Sequence, residues 1–167
     1  MTDFFIDSID RNSMPNFENQ LILWVWNPDQ IPPHVAISLN GIYFSLTVKG
    51  REIKTTDQLV KSAKRKKSKL LFFEIKKQLT IDELNASFQG FEKAGIANST
   101  CSSPIFKVLK TSNSVTKLSE LLIHLHETNL INKIYSLNLS DSFKGIPHYE
   151  FSLIHQKIKD LNDGKKS

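Results

Sequence analysis

The sequence predicts an α+β fold in one domain. Strand patterns dominate the first half of the chain and helix patterns the second half, an order that favours α+β over doubly wound α/β. Asn40-Gly41 between two apolar alternating segments is a strong hairpin signal. A length of 167 residues, with 40% hydrophobic and 23% charged residues, fits one globular domain and excludes collagen-like, coiled-coil and wholly disordered chains.

Three regions divide the chain by composition. Residues 1–20 are polar and turn-rich and predict an N-terminal arm. Residues 21–162 are expected to form the domain. Residues 163–167 are a short basic tail that is expected to fray.

The strands of the first half surround the hairpin. Residues 21–26 read as a buried strand because they are continuously apolar. A two-residue turn at Asn40-Gly41 pairs Leu39 with Ile42, and it sorts the side chains of the hairpin onto two faces. The apolar face carries Val35, Ile37, Leu39, Ile42, Phe44 and Leu46, and the other carries His34, Ala36, Ser38, Tyr43, Ser45 and Thr47.

The helices follow from caps and periodicity. Thr55-Thr56-Asp57 predicts a helix to about Lys64, and Thr80 with Glu83 forms a capping box for a helix to Gly95. The remaining predicted elements are a strand over 70–75, helices at about 102–111 and 115–127, a strand over 134–139 and a helix over 149–161.

A basic segment follows the first predicted helix. The net charge is only +5, which permits an anionic partner without requiring one. Such a segment is usually a solvated face, and the functional alternative is contact with phosphates or anionic lipid. Nucleic acid is not an expected obligate partner, because no aromatic side chains interleave. The six basic residues are Lys61, Lys64, Arg65, Lys66, Lys67 and Lys69.

A single cysteine excludes an internal disulfide framework and a cysteine-rich zinc site. No cofactor or metal is expected. The N-terminus lacks the features of a Sec signal peptide, and no apolar run approaches the roughly 20 residues of a membrane span. We therefore expect no transmembrane segment and a cytoplasmic protein, with leaderless secretion as an effector as the alternative.

His34 and Cys101 are the candidate catalytic pair. Cys101 is placed at the start of a predicted helix, with Asn98 and neighbouring hydroxyl residues as caps and Pro104 in the first turn. Unpaired backbone N–H groups and the helix dipole favour the reactive thiolate there, and an imidazole would take the thiol proton. The structural alternative is that a lone cysteine is a small buried hydrophobe.

The order of these segments resembles that of the circularly permuted papain-like proteins, which include permuted NlpC-like cysteine peptidases and the lecithin retinol acyltransferase group. Members have a leading strand, an HVGI segment with a hairpin, and later an N-C-S segment that opens a helix. The counterparts are Gln20-Leu21-Ile22-Leu23, His34-Val35-Ala36-Ile37 and Asn98-Ser99-Thr100-Cys101-Ser102-Ser103. Residues 71–75 and 79–84 look like the family's strand and LT-x-E helix, so the resemblance covers about residues 20–112.

The resemblance implies a circularly permuted papain-like (NlpC-like) fold, in which a His34-led hairpin of a small antiparallel sheet packs on a Cys101-led helix. It implies that Cys101 attacks a carbonyl and that His34 acts as general base and then as acid. The implied substrates are peptide, lipid or protein acyl groups. The implied protein is a cysteine peptidase, an amidase or an acyltransferase.

The third catalytic position departs from the family pattern. Family members place His, Asn, Asp, Glu or Gln on the strand after the His-led strand, whereas the matching residue is Ser45 and the cross-strand partner of His34 is Thr47. A hydroxyl accepts an N–H hydrogen bond but brings no charge to stabilise imidazolium. Two alternatives therefore stand beside the enzyme: a basic binding module acting through residues 61–69, and a non-catalytic relative that acts by protein contact.

Overall fold

The computed structural model describes residues 2–96, 99–109 and 117–164. Its strands are β1 (Thr2–Phe5), β2 (Leu21–Trp26), β3 (His34–Leu39), β4 (Ile42–Thr47), β5 (Gly50–Thr55), β6 (Leu70–Ile75), β7 (Ile131–Leu137) and β8 (Gly145–Pro147). Its helices are α1 (Thr56–Lys66), α2 (Ile81–Gln89), α3 (Ser103–Val108), α4 (Leu118–Glu127) and α5 (Phe151–Asn162). The mixed α+β class is confirmed.

A six-stranded antiparallel sheet in the order β5-β4-β3-β2-β6-β7 forms the centre of the fold. β2 and β6 are interior strands, and their sequences, apolar except for Glu74, match burial on both faces. β1 and β8 pair separately as a two-stranded antiparallel sheet. β3, which starts at His34, therefore lies inside the main sheet with its first residue at the sheet's end.

The hairpin between β3 and β4 has the register that the sequence predicts. Leu39 pairs with Ile42 and Ile37 with Phe44. Asn40 and Gly41 have φ angles of 51° and 75°, which the two-residue turn requires and which asparagine and glycine tolerate. The predicted alternation of faces follows from this register.

Both faces of the sheet are covered. The face of Val35, Ile37 and Phe44 packs in a core with α2, α3, α4 and α5. The opposite face is not an open polar surface, because Trp24, Tyr43 and their neighbours are buried under α1 and the N-terminal arm. Ser38 and Ser45 are consequently buried hydroxyls.

The helix boundaries differ from the predictions by a few residues, most clearly at the end of α2. α1 begins with a capping box of Thr55 and Gln58 and continues to Lys66, slightly beyond the expected end. α2 ends at Gln89 rather than at Gly95, because Gly90 follows and the Ala94 N–H instead bonds the carbonyl of Thr47 in β4. Residues 110–116, which belong to two predicted helices, lie outside the described residues.

The described part of the chain has no helix long and apolar enough to cross a membrane.

Candidate active site

β3 and the turn before α3 bring His34 and Cys101 to the same cleft. Both side chains line this cleft, and each shifts the pKa of the other through charge and hydrogen-bonding interaction. His34 Nε2 is 2.8 Å from Ser45 Oγ, so Nδ1 is the ring nitrogen left for the thiol. The two sequence-predicted candidates, 67 positions apart in the chain, are thus in contact.

The turn that carries Cys101 precedes the helix rather than opening it. α3 begins at Ser103 and has six residues, and its N-cap Ser102 makes no side-chain capping hydrogen bond. The turn is closed by Thr100 and Ser103, whose hydroxyl accepts from the Thr100 N–H at 2.8 Å. Cys101 therefore lies directly before the N-cap of α3, which begins one residue later than the predicted start at about residue 102. The predicted cap Asn98 lies outside the described residues.

α2 anchors this turn to the rest of the fold. The buried Ser87 hydroxyl donates to the carbonyl of Pro104 at 2.6 Å. Ile105 is completely buried in the main core. Since the segment after Cys101 is fixed by these contacts, the thiol is held toward the end of β3.

His34 and Cys101 favour the charged forms of each other. Burial acts to raise the pKa of the Cys101 thiol, but the charge and hydrogen bond of His34 outweigh it, so the pKa lies below its usual range. The Val35 backbone N–H and the Ser102 hydroxyl add hydrogen bonds to the sulfur. For His34, burial acts to lower the pKa, and the charge and hydrogen bond of Cys101 outweigh burial and raise it. The pair therefore favours thiolate and imidazolium.

Ser45, rather than Thr47, contacts the imidazole. The Ser45 hydroxyl is buried and within hydrogen-bond distance of Nε2. Thr47 is engaged in the turn between β4 and β5, where its hydroxyl donates to the carbonyl of Gly50 and accepts from the Lys49 N–H. Thr47 still lines the cleft, but its hydroxyl forms hydrogen bonds with the backbone of the turn.

Behind His34 lies a second cavity with polar residues that the sequence analysis missed. Glu52 of β5 is the cross-strand partner of Ser45, and its negative charge raises the pKa of His34. The Tyr43 hydroxyl contacts Ser45 and accepts from Trp26 Nε1 at 3.0 Å. Burial raises the pKa of Tyr43, which keeps this hydroxyl protonated. A carboxylate thus lies one strand beyond Ser45, where Glu52 also forms an ion pair with Lys54 at 2.7 Å.

Comparison with known proteins does not assign the chain to a family. No protein-family model, curated protein or solved structure matches the chain. The resemblance to the permuted papain-like proteins therefore depends on the short motifs around His34 and Cys101.

The cleft above the pair encloses about 110 Å³ and is largely apolar. One wall is the Pro32-Pro33 loop and the end of β4, and the other is α5. Lys157 of α5 also lines the cleft, and its positive charge acts to lower the pKa of the His34 imidazole. Sequence reasoning missed Lys157, although its place among Ile154, Ile158 and Leu161 at helical spacing was visible.

The basic segment lies on and after the last turns of α1, away from this cleft. Three exposed cations lie in the last helical turn: Lys64, Arg65 and Lys66. There they interact favourably with the negative end of the helix dipole. Lys67 caps the helix with a left-handed φ of 55°. Lys61 pairs with Asp57 at 2.9 Å, and Lys69 pairs with Asp29. These local contacts give the six cations a structural explanation.

No group of three or more His, Cys, Asp or Glu residues suited to a metal ion occurs within the described ranges.

Proposed function

We propose that the protein is a thiol-dependent acyl-transfer enzyme acting on amides or esters, with Cys101 as nucleophile and His34 as general base. The observation that carries the proposal is that Cys101 and His34 line the same cleft, where the His34 charge favours the thiolate. The alternative of a non-catalytic relative expects the two side chains to be too far apart for proton transfer. Their shared cleft and mutual effect on each other's pKa argue against it.

The mechanism is a two-step acyl transfer. The Cys101 sulfur forms a bond to the substrate carbonyl carbon, and His34 Nδ1 holds the proton that the thiol gives up. That proton passes to the leaving amine or alkoxide as its bond to carbon breaks, which leaves a thioester on Cys101. Water or another nucleophile then gives its proton to His34 and its oxygen or nitrogen to the acyl group, and the thiol is restored.

Ser45 and the backbone have supporting roles in this proposal. With Nδ1 reserved for the thiol proton, Nε2 carries a hydrogen that the Ser45 hydroxyl accepts at 2.8 Å. This contact fixes the ring, and the Glu52 charge behind it favours imidazolium. The Cys101 backbone N–H is proposed as one donor to the developing oxyanion.

The chain order of elements supports a circularly permuted papain-like arrangement. β2 comes first, then the His34-led hairpin, then β6, α2 and the Cys101 turn. The hairpin and β6 flank β2 on its two sides in the sheet. This order matches the one that the resemblance implies.

Trapping of a thioester on Cys101 tests the proposed function. With p-nitrophenyl acetate, the wild-type protein is expected to release one equivalent of nitrophenolate in a burst and to carry one acetyl group on the peptide that contains Cys101. Neutral hydroxylamine should remove that group, since it cleaves thioesters and leaves lysine amides intact. Cys101→Ala should show no burst and an unchanged melting temperature. An equal burst from Cys101→Ala, or acetyl groups on lysines alone, contradicts the proposal.

Replacement of Ser45 by alanine tests the orienting contact. Loss of the hydroxyl removes a hydrogen bond from the imidazolium, which lowers the pKa of His34 and raises that of Cys101. We expect alkylation of Cys101 by iodoacetamide at pH 6 to slow about fivefold, the value of roughly one hydrogen bond. Thr47→Val, which removes the other predicted hydroxyl, should have a smaller effect. A larger effect of Thr47→Val would reassign the orienting role.

A further inference from the structure

α5 presents an apolar stripe to the cleft, and a lysine lies within it. Ile154, Lys157, Ile158 and Leu161 line the cleft at the i, i+3, i+4, i+7 spacing of one helix face. Ile158 in this stripe packs closely against Gly95, since a Cβ atom added to Gly95 would lie 2.7 Å from the Ile158 side chain. A positive charge on such an apolar face is unfavourable unless it reaches water or pairs with an anion.

The charge of Lys157 has no partner among residues 2–96, 99–109 and 117–164. No carboxylate of this part of the chain lies within 4.0 Å of its amine. The acids of the adjoining surface groove, Asp29 and Asp160, are engaged by Lys69 and Gln156. Lys157 is only partly exposed. An anion that enters the cleft would therefore meet an uncompensated positive charge.

The same charge is unfavourable for His34 when the cleft is empty. Two cations face one apolar space when the imidazole is protonated, and Lys157 lowers the pKa of His34. A negative group on a bound substrate would relieve this repulsion. It would also place the substrate carbonyl between the thiolate and α5.

We propose that the substrate carries a carboxylate in its acyl portion and that Lys157 binds this carboxylate beside Cys101. This inference rests on the proposed function, and it adds the charge class of the substrate. The apolar side chains around Lys157 contact the carbon chain between carboxylate and carbonyl, and their low polarity strengthens the charge pair.

Two alkylating reagents of nearly equal size, one anionic and one neutral, test the proposal. Iodoacetate and iodoacetamide both transfer a CH₂ group to the Cys101 sulfur with loss of iodide, and only iodoacetate carries a carboxylate. The quantity to measure is the ratio of their second-order rate constants. Because both reagents report the same thiolate, this ratio cancels any change in the pKa of Cys101.

Lys157→Met keeps the length of the side chain and removes its charge. We expect the iodoacetate-to-iodoacetamide ratio to fall about fivefold in Lys157→Met, and to recover in Lys157→Arg. Added salt should lower the ratio more in the wild type than in Lys157→Met, where only the His34 charge remains beside Cys101. The matched control is Lys159→Met, which removes an exposed cation from the same helix without touching the cleft lining. Its ratio should equal that of the wild type.

The outcomes separate this inference from the proposed function. If Cys101 reacts rapidly with both reagents and Lys157→Met keeps the wild-type ratio, the carboxylate site is overturned and the proposed function stands. An equal fall in Lys159→Met also overturns it, because the effect would then be one of net charge. If Cys101 in the wild type reacts with both reagents no faster than a free thiol, the proposed function itself fails.

Discussion

Alkylation of Cys101 by iodoacetamide at pH 6 is expected to slow strongly when His34 is replaced by alanine. In the wild type the His34 charge and hydrogen bond lower the pKa of the thiol despite its burial. An acid with a lowered pKa stays ionised as the pH falls, so the reactive thiolate persists into the acidic range. Without His34, burial raises the pKa of the thiol. The thiolate fraction at pH 6 then falls, tenfold for each pKa unit.

The measurement is the alkylation rate against pH in the two proteins. The wild-type curve should have its inflection below the roughly 8.5 of a free thiol, and the His34→Ala curve should have it above that value. His155→Ala is the matched control, since His155 packs edge-on against Phe151 on α5 and does not line the cleft. Coincident curves for the wild type and His34→Ala would show that the pair does not activate the thiol.

Replacement of Trp24 by alanine is expected to lower the free energy of unfolding by about 3–5 kcal/mol. Trp24 lies in the interior strand β2 and is completely buried. Its ring packs edge-on against Phe72 and Tyr43, at centroid distances of 4.9 and 5.0 Å. Its Nε1 donates to the buried Ser38 hydroxyl at 2.8 Å, and that partner would be left unsatisfied.

Urea denaturation of the wild type and of Trp24→Ala measures this loss. Trp26→Ala is the matched control, because Trp26 lies on the same face of β2 and is only partly buried. We expect it to cost clearly less than Trp24→Ala. If the two variants lose equal stability, the core under α1 does not depend on the complete burial of Trp24.

The hairpin of β3 and β4 is the part of the sheet that local sequence pattern predicts in detail. Asn40-Gly41 and strict alternation determine the register of β3 and β4, because turn geometry and face burial are encoded within about 15 residues. β5 was not predicted, since its sequence is polar and its side chains are mostly exposed at the edge of the sheet. β1 and β8 were not predicted either. Their pairing joins distant parts of the chain and has no local signal.

The sequence by itself determined the class of the fold and two candidate reactive residues. Cys101 is the single thiol, and His34 begins a strand whose register a two-residue turn sets. Residue type, turn chemistry and the resemblance were sufficient for both. The contact between them also depends on α2 and the turn before α3, which bring together positions 67 apart.

Only the tertiary structure decided the rest of the site. Ser45 and Thr47 are equivalent by alternation, and the turn contacts of Thr47 at the end of β4 leave Ser45 for the imidazole. Glu52 comes to the site from the edge strand β5, and Lys157 comes to it from α5, which is distant in sequence from Cys101 and His34. These choices depend on which side chains meet across strands and helices. Such contacts arise from long-range packing, which periodicity along the chain does not encode.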